Sequence, residues 1–129
     1  MSEEIKLLQF FVCEDFRTQK QDGYLGEGIL SNLTVPSFPC SLDHLMVVTC
    51  WRKDKRFHKE VIEYETDYGT SIKTPHMDIE PVTDSVYFRW HKHQFPKDFS
   101  MDRPCHLTIR VILDWKPQHE TYILIEQRP

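Results

Sequence analysis

The chain has 129 residues and carries a formal net charge of -4 at pH 7. A chain of this length buries one hydrophobic core, so we expect a single domain spanning residues 1–129. Hydrophobic residues make up 40% of the composition, which excludes a disordered chain and is enough to fill such a core. The acidic balance argues against a nucleic-acid partner, because phosphate contacts depend on a surplus of Lys and Arg.

The amino terminus predicts neither export nor membrane insertion. Glu3 and Glu4 place acid where a secretory signal carries base. No apolar stretch approaches the roughly 20 residues that cross a bilayer, so we expect a cytoplasmic protein without membrane contact. In that reducing compartment the four cysteines, which form no Cys-x-x-Cys pair, are expected to be free thiols. They are Cys13, Cys40, Cys50 and Cys105.

The first half of the chain predicts strands that are covered on both faces. Residues 5–14 and 44–52 are apolar at odd and even positions alike, which is typical of strands with protein on each side. Between them, the turn signal Asp22-Gly23 precedes a further apolar run over residues 23–33. Residues 57–65 are predicted as the next strand.

Residues 85–93 alternate between apolar and polar side chains, which predicts a strand with one face in the core and one in solvent. The face predicted to lie inside holds Val86, Phe88 and Trp90. The face predicted to lie outside holds Tyr87, Arg89, His91 and His93.

The last two predicted strands cover residues 106–114 and 121–127. In the first of them we expect alternate apolar residues inside, namely Leu107, Ile109, Val111 and Leu113. A predicted hairpin loop over residues 116–119 separates the two strands, so they should pair.

These runs add up to seven or eight strands with turns at short intervals, and no window shows apolar residues at helical spacing. The pattern is typical of an all-β protein. We predict an antiparallel β-sandwich, immunoglobulin-like or jelly-roll-like.

A polar strand face predicts function by contact. Tyrosine and arginine are favoured at protein interfaces, so the predicted outer face is the candidate binding surface: Tyr87, Arg89, His91, His93 and, from the next strand in sequence, Arg110. The interpretation is a non-catalytic binding or structural module, without cofactor, that contacts another protein or a second copy of itself.

A metal site is the alternative. His91 and His93 lie on the same side of one strand, and His106 begins the outward face of the next predicted strand. If those strands pair, three imidazoles can hold one Zn²⁺ and leave a fourth position open, as in catalytic zinc sites. No Gly-x-Ser-x-Gly or phosphate-loop motif accompanies them, so no catalytic residue is assigned.

Four short motifs in the first half combine turn and core residues. They are Phe11-Val12-Cys13-Glu14-Asp15-Phe16-Arg17, Asp22-Gly23-Tyr24-Leu25-Gly26, Val35-Pro36-Ser37-Phe38-Pro39 and Leu45-Met46-Val47-Val48. Together they resemble a family of small bacterial or phage proteins of β-sandwich fold whose activity is not known. The resemblance implies a bacterial or phage origin and an intracellular location, and it brings no catalytic residue or substrate with it.

Overall fold

Every regular element of the protein is a β-strand in the computed structural model, which describes residues 4–19 and 23–129. The strands are β1 (Lys6–Cys13), β2 (Asp15–Gln19), β3 (Gly23–Glu27), β4 (Asn32–Val35), β5 (Cys40–Ser41), β6 (Met46–Arg52), β7 (His58–Thr66), β8 (Ser71–Lys73), β9 (Met77–Ile79), β10 (Phe88–Gln94), β11 (Ser100–Met101), β12 (Cys105–Leu113) and β13 (Lys116–Gln127). The all-β prediction is confirmed. No helix in the described ranges is long and apolar enough to cross a bilayer.

The strand segments outnumber the seven or eight predicted, because some predicted runs are broken. The run over residues 23–33 divides into β3 and the start of β4, and very short strands such as β5 and β11 carry no periodic signal. Asp22 of the predicted turn lies outside the described residues.

Two sheets build the body of the protein. The smaller is antiparallel, in the order β1-β6-β10, with β6 in the middle. The larger has the order β4-β13-β12-β7-β8, and β9 also pairs with β7. The predicted pairing of the last two long strands is confirmed, since β12 and β13 are antiparallel neighbours. Only β4 joins its neighbour in parallel among the described pairs of this sheet.

The main hydrophobic core draws residues from both sheets. Val47 and Trp51 of β6 belong to the same buried cluster as Ile62 and Tyr64 of β7. On β12 the predicted inward residues are buried, as the alternation required: Leu107, Ile109, Val111 and Leu113. Burying one such side chain contributes about 1.5–3 kcal/mol, so this face fixes the register of β12.

The opposite face of the smaller sheet is covered by the hairpin β2–β3. Phe16 of the hairpin lies in a second buried cluster with Cys13 of β1 and Val48 of β6. Its ring stacks on Trp90 of β10 at a centroid distance of 5.3 Å, and Tyr24 lies 4.8 Å from the same indole. The prediction of cover on both sides is therefore confirmed for β6 and for the end of β1, whereas Leu8 near the start of β1 is exposed.

The predicted orientation of β10 is wrong. His91 and His93 are buried, whereas Phe88 and Val86 are about half exposed. Trp90 is partly buried, but against the hairpin rather than in the main core. Alternation shows which residues share a face, and here the hairpin covers Trp90 on a face that is otherwise exposed, so apolar character alone did not identify the inner face.

The predicted loop over residues 116–119 is also wrong. The chain reverses at Asp114 and Trp115, whose φ angles are 50° and 68°. Two consecutive residues with positive φ are typical of the tight hairpin turn that matches strand twist. As a result β13 begins at Lys116, and Pro117 sits where the register with β12 shifts, which is where an edge irregularity tolerates proline.

A buried histidine ties this turn to the sheet. His58 Nδ1 lies 2.6 Å from Asp114 Oδ2, and His58 Nε2 lies 2.8 Å from Asp54 Oδ1. Burial alone would lower the pKa of His58, but the hydrogen bonds to the two carboxylates outweigh it and the pKa is raised. Burial likewise would raise the pKa of both carboxyls, yet hydrogen bonds from backbone N–H groups and from His58 hold both pKa values below 3.8.

We expect these shifts to shape the pH dependence of unfolding. The stabilisation from His58 is complete below the ordinary pKa of 6.5 and is lost as the pH rises through the raised pKa. The stabilisation from Asp54 and Asp114 is complete above 3.8 and is lost as the pH falls through their lowered pKa values. Urea unfolding across this pH range measures both limbs. His58→Gln should flatten the alkaline limb and His106→Gln, at an exposed position, should not; identical limbs in the two variants would contradict the assignment.

Candidate metal centre

Glu60 places a carboxylate in the main core. Along β7 the buried positions alternate, and Glu60 shares the inner face with Ile62 and Tyr64. Its side chain is fully buried between the two sheets. A buried carboxylate is costly unless polar partners surround it, so the residues facing Glu60 decide whether the fold tolerates it.

Four side chains of the smaller sheet donate to Glu60. On β6, Thr49 Oγ1 donates to Oε1 at 3.1 Å and Trp51 Nε1 donates to Oε2. On β10, His91 Nδ1 lies 2.7 Å and His93 Nε2 lies 2.6 Å from Oε1. The strand register places these donors side by side, because Thr49 pairs directly with His91. The carboxylate is therefore bonded at both oxygens.

These hydrogen bonds keep Glu60 ionised. Burial alone would raise the pKa of Glu60, but the bonds from His91 and His93, the charge of His93 and the bond from Trp51 lower it to about 2. None of the four donors is a Lys or Arg. The countercharge has to come from the imidazoles or from a bound cation.

The second nitrogens of the two imidazoles differ in their surroundings. Arg89 Nε donates to His91 Nε2 at 3.3 Å, which leaves the proton on Nδ1 to donate to Glu60. Nε2 of His93 bonds Glu60, and its Nδ1 is buried without a hydrogen-bond partner in the described part of the chain. Buried polar atoms are rarely left unpaired, so this nitrogen is an open position of the cluster.

The cluster has the donor set of a transition-metal site. One nitrogen from each imidazole and one oxygen of Glu60 all lie within 4.8 Å of one another. Two histidines and one carboxylate are a common ligand set for catalytic zinc and for non-haem iron. We define Glu60, His91 and His93 as the triad.

Two of the three predicted metal ligands belong to the triad and the third does not. His106 lies on β12, which pairs with β7 and β13 and not with β10. Its ring is exposed and stacks on Tyr122 of β13 at a centroid distance of 5.5 Å. The prediction of His106 required its strand to pair with the strand of His91, and these two strands do not pair.

The predicted outer binding face is not one surface. His91 and His93 point inward, while Tyr87 and Arg89 are exposed. Arg110 lies on the larger sheet, where it forms ion pairs with three carboxylates: Glu63, Glu65 and Glu120. Tyr87 and Arg89 therefore do not share a strand face with Arg110.

The sequence interpretation missed Glu60, although a signal was present. In residues 57–65 the alternation assigns Glu60 to the same face as Ile62 and Tyr64. A carboxylate on an apolar strand face needs polar partners. The His-x-His strand was the obvious source of them, had its polar face been taken as the inner one.

No family model, no curated protein and no solved structure matches this chain. The resemblance to a bacterial or phage family therefore stays a prediction, and the geometry of the triad carries the functional argument.

Glu60→Gln is expected to destabilise the protein by about 3–5 kcal/mol, because it removes a buried charge and replaces one of the two acceptor oxygens by an amide NH₂ that cannot accept from the donors it faces. Chemical denaturation measures the loss. The matched control is Glu63→Gln on the outer face of the same strand, where the ion pair with Arg110 is partly exposed and contributes about 1 kcal/mol or less. Equal losses in the two variants would show that the burial of Glu60 carries no special weight.

Proposed function

We propose that the protein binds a divalent transition-metal ion, with Zn²⁺ as the first candidate, through Glu60, His91 and His93. The observation that supports this most directly is the convergence of three metal-binding groups within 4.8 Å in the core. Strands from two packed sheets hold them, so little conformational freedom is left to lose on binding.

Metal binding requires the three ligand atoms of the triad to move slightly apart. Oε1 of Glu60 lies 2.6–2.7 Å from the two imidazole nitrogens, which is a hydrogen-bond distance. Ligand atoms about 2.0–2.1 Å from a tetrahedral ion are about 3.3 Å apart. The ion therefore replaces the two imidazole protons that now point at the carboxylate, and binding releases protons to solvent.

The remaining donors suit a supporting role. Trp51 Nε1 donates to Oε2 and leaves Oε1 for the ion, while Thr49 Oγ1 also bonds Oε1. Such outer partners orient metal ligands and tune their affinity. Arg89 Nε donates to His91 Nε2 in the metal-free protein and has to give up that bond, because an imidazole bound to a metal through Nδ1 carries its proton on Nε2.

Titration with Co²⁺, followed by its visible absorption, and with Zn²⁺ by calorimetry tests the proposal. We expect about one ion per chain, with proton release on binding. His91→Ala and His93→Ala should weaken binding at least about tenfold each, because each removes one of three ligands. His106→Ala is the matched control and should leave affinity unchanged. No stoichiometric binding, or equal effects of all three substitutions, would overturn the proposal.

A second candidate function is contact with another protein or with a second copy of the chain. The supporting observation is the contact patch, defined as Val86, Tyr87 and Phe88, three consecutive residues that are each about half exposed. They follow a tight turn in which Asp84 and Ser85 have positive φ. Adjacent exposed apolar side chains on a rigid turn are typical of interaction surfaces.

Phe88→Ser is expected to raise the dissociation constant of self-association about tenfold, since it removes an apolar anchor. Light scattering over a concentration series measures the change. Trp115→Ser, at the exposed turn of the other sheet, is the control. A strict monomer at every concentration would contradict the self-association version of this function.

We also propose that the two facing sheets form a β-sandwich, the finer class predicted from the sequence. The shared core of β6, β7 and β12 supports this class. The cytoplasmic location and the bacterial or phage origin stay predictions.

A further inference from the structure

A cleft of about 470 Å³ lies beside the triad. Its walls come from β8, β9 and the connection between them on one side, and from the end of β10 on the other. Apolar groups dominate the lining: Ile72, Pro75, Met77 and Pro96. The volume falls within the range of pockets that hold small organic ligands.

His93 connects the cleft to the triad. It is one of the lining residues, and through Nε2 it bonds Glu60. Its Nδ1 has no hydrogen-bond partner among the described residues and is shielded from water. The side chain of His93 is fully buried, so Nδ1 lies behind the apolar wall of the cleft, as a polar atom to which the described residues supply no hydrogen bond. Binding at that atom requires a small displacement of the lining side chains.

The chain contains the completed version of this arrangement elsewhere. His58 stands between two carboxylates, with Nδ1 on Asp114 and Nε2 on Asp54. His93 has only the first half, a carboxylate at Nε2 from Glu60. A carboxylate arriving at Nδ1 would complete the same carboxylate–imidazole–carboxylate row that the protein already accommodates in its interior.

A carboxylate also suits the metal-loaded form. An imidazole that binds a metal through one nitrogen carries its proton on the other, and that proton is most often donated to a carboxylate, a carbonyl or water. In the metal-free form, where Nε2–H is donated to Glu60, Nδ1 of His93 donates to the ligand from the doubly protonated ring, the form that also fits between the two carboxylates at His58. The class of ligand does not depend on whether a metal is bound.

The charges around the cleft favour an anion. Although the chain has an excess of acidic residues, none of the described Asp or Glu residues lines this cleft, whereas Lys73 and His76 do. The same two residues also line an adjoining cavity with Lys59. Lys73 Nζ lies 3.8 Å from Glu63 Oε2, a loose pair in which the lysine side chain is 61% exposed, so Lys73 is able to attract a second anion.

We propose that this cleft binds a small monocarboxylate with an apolar body, its carboxylate accepting from His93 Nδ1 and its body against Ile72, Pro75 and Pro96. The apolar wall supplies affinity by burying the body of the ligand. The buried nitrogen supplies selectivity, because a ligand without an acceptor leaves it unpaired.

Octanoate is the probe, with octylammonium as the control that has the same tail and the opposite charge. Both are titrated into the EDTA-treated protein by calorimetry. Ring ¹⁵N spectra of the histidines are recorded in parallel. We expect octanoate to bind at least about tenfold more tightly than octylammonium, and to shift the ring signals of His93 while leaving those of exposed His106 in place.

Pro75→Glu adds a carboxylate to the cleft at an exposed position that is not part of the triad. It should weaken octanoate binding about tenfold through like-charge repulsion. Pro104→Glu, at an exposed position outside this cleft, is the matched control and should have no effect. Equal affinities for the two probes, unshifted His93 signals, or equal effects of the two variants would each overturn the proposal.

The same titration on Zn²⁺-loaded protein separates this inference from the proposed metal site. If the chain takes up no Zn²⁺ but octanoate still binds at His93, the cleft proposal stands and the metal proposal fails. If Zn²⁺ binds at the triad and octanoate does not shift His93 in either form, the cleft proposal fails alone.

Discussion

The buried carboxylate of Glu60 is the constraint on which the rest of the interior depends. An ionised group with no solvent access has to be surrounded by donors, and β6 and β10 supply them through Thr49, Trp51, His91 and His93. This requirement orients β10 with its histidines inward and leaves Trp90 for the hairpin. The contacts across the core are thus directional hydrogen bonds at Glu60 and apolar contacts elsewhere. Together they specify how the two sheets face each other.

The same arrangement supports both proposals. Glu60 and the two imidazoles that bond it in the metal-free protein are the ligand set of a transition-metal site, and the second nitrogen of His93 lies behind the wall of the cleft between β8, β9 and the end of β10. Both ring nitrogens of His58 are hydrogen-bonded, one to Asp54 and one to Asp114. In His93, by contrast, only Nε2 has a hydrogen-bond partner among the described residues.

Alternation along the chain was enough to predict the strand class, β12 with its inward Leu107 and Ile109, and the pairing of β12 with β13. Alternation did not predict the orientation of β10, because a period of two shows which residues share a face and does not show which face lies in the main core. Of the site, the His-x-His pair was predicted and Glu60 was missed. The two histidine partners of Glu60 are 31 and 33 positions away in the sequence, and only the packing of one sheet on the other brings them to the carboxylate.

Anomalous X-ray diffraction at the zinc edge, on crystals grown with Zn²⁺, tests whether the triad binds the metal. We expect one strong peak within bonding distance of Glu60 Oε1, His91 Nδ1 and His93 Nε2, with these atoms moved apart from their hydrogen-bond distances. A peak only at exposed histidines such as His106, with both imidazole nitrogens still hydrogen-bonded to Glu60 Oε1, would contradict metal binding by the triad.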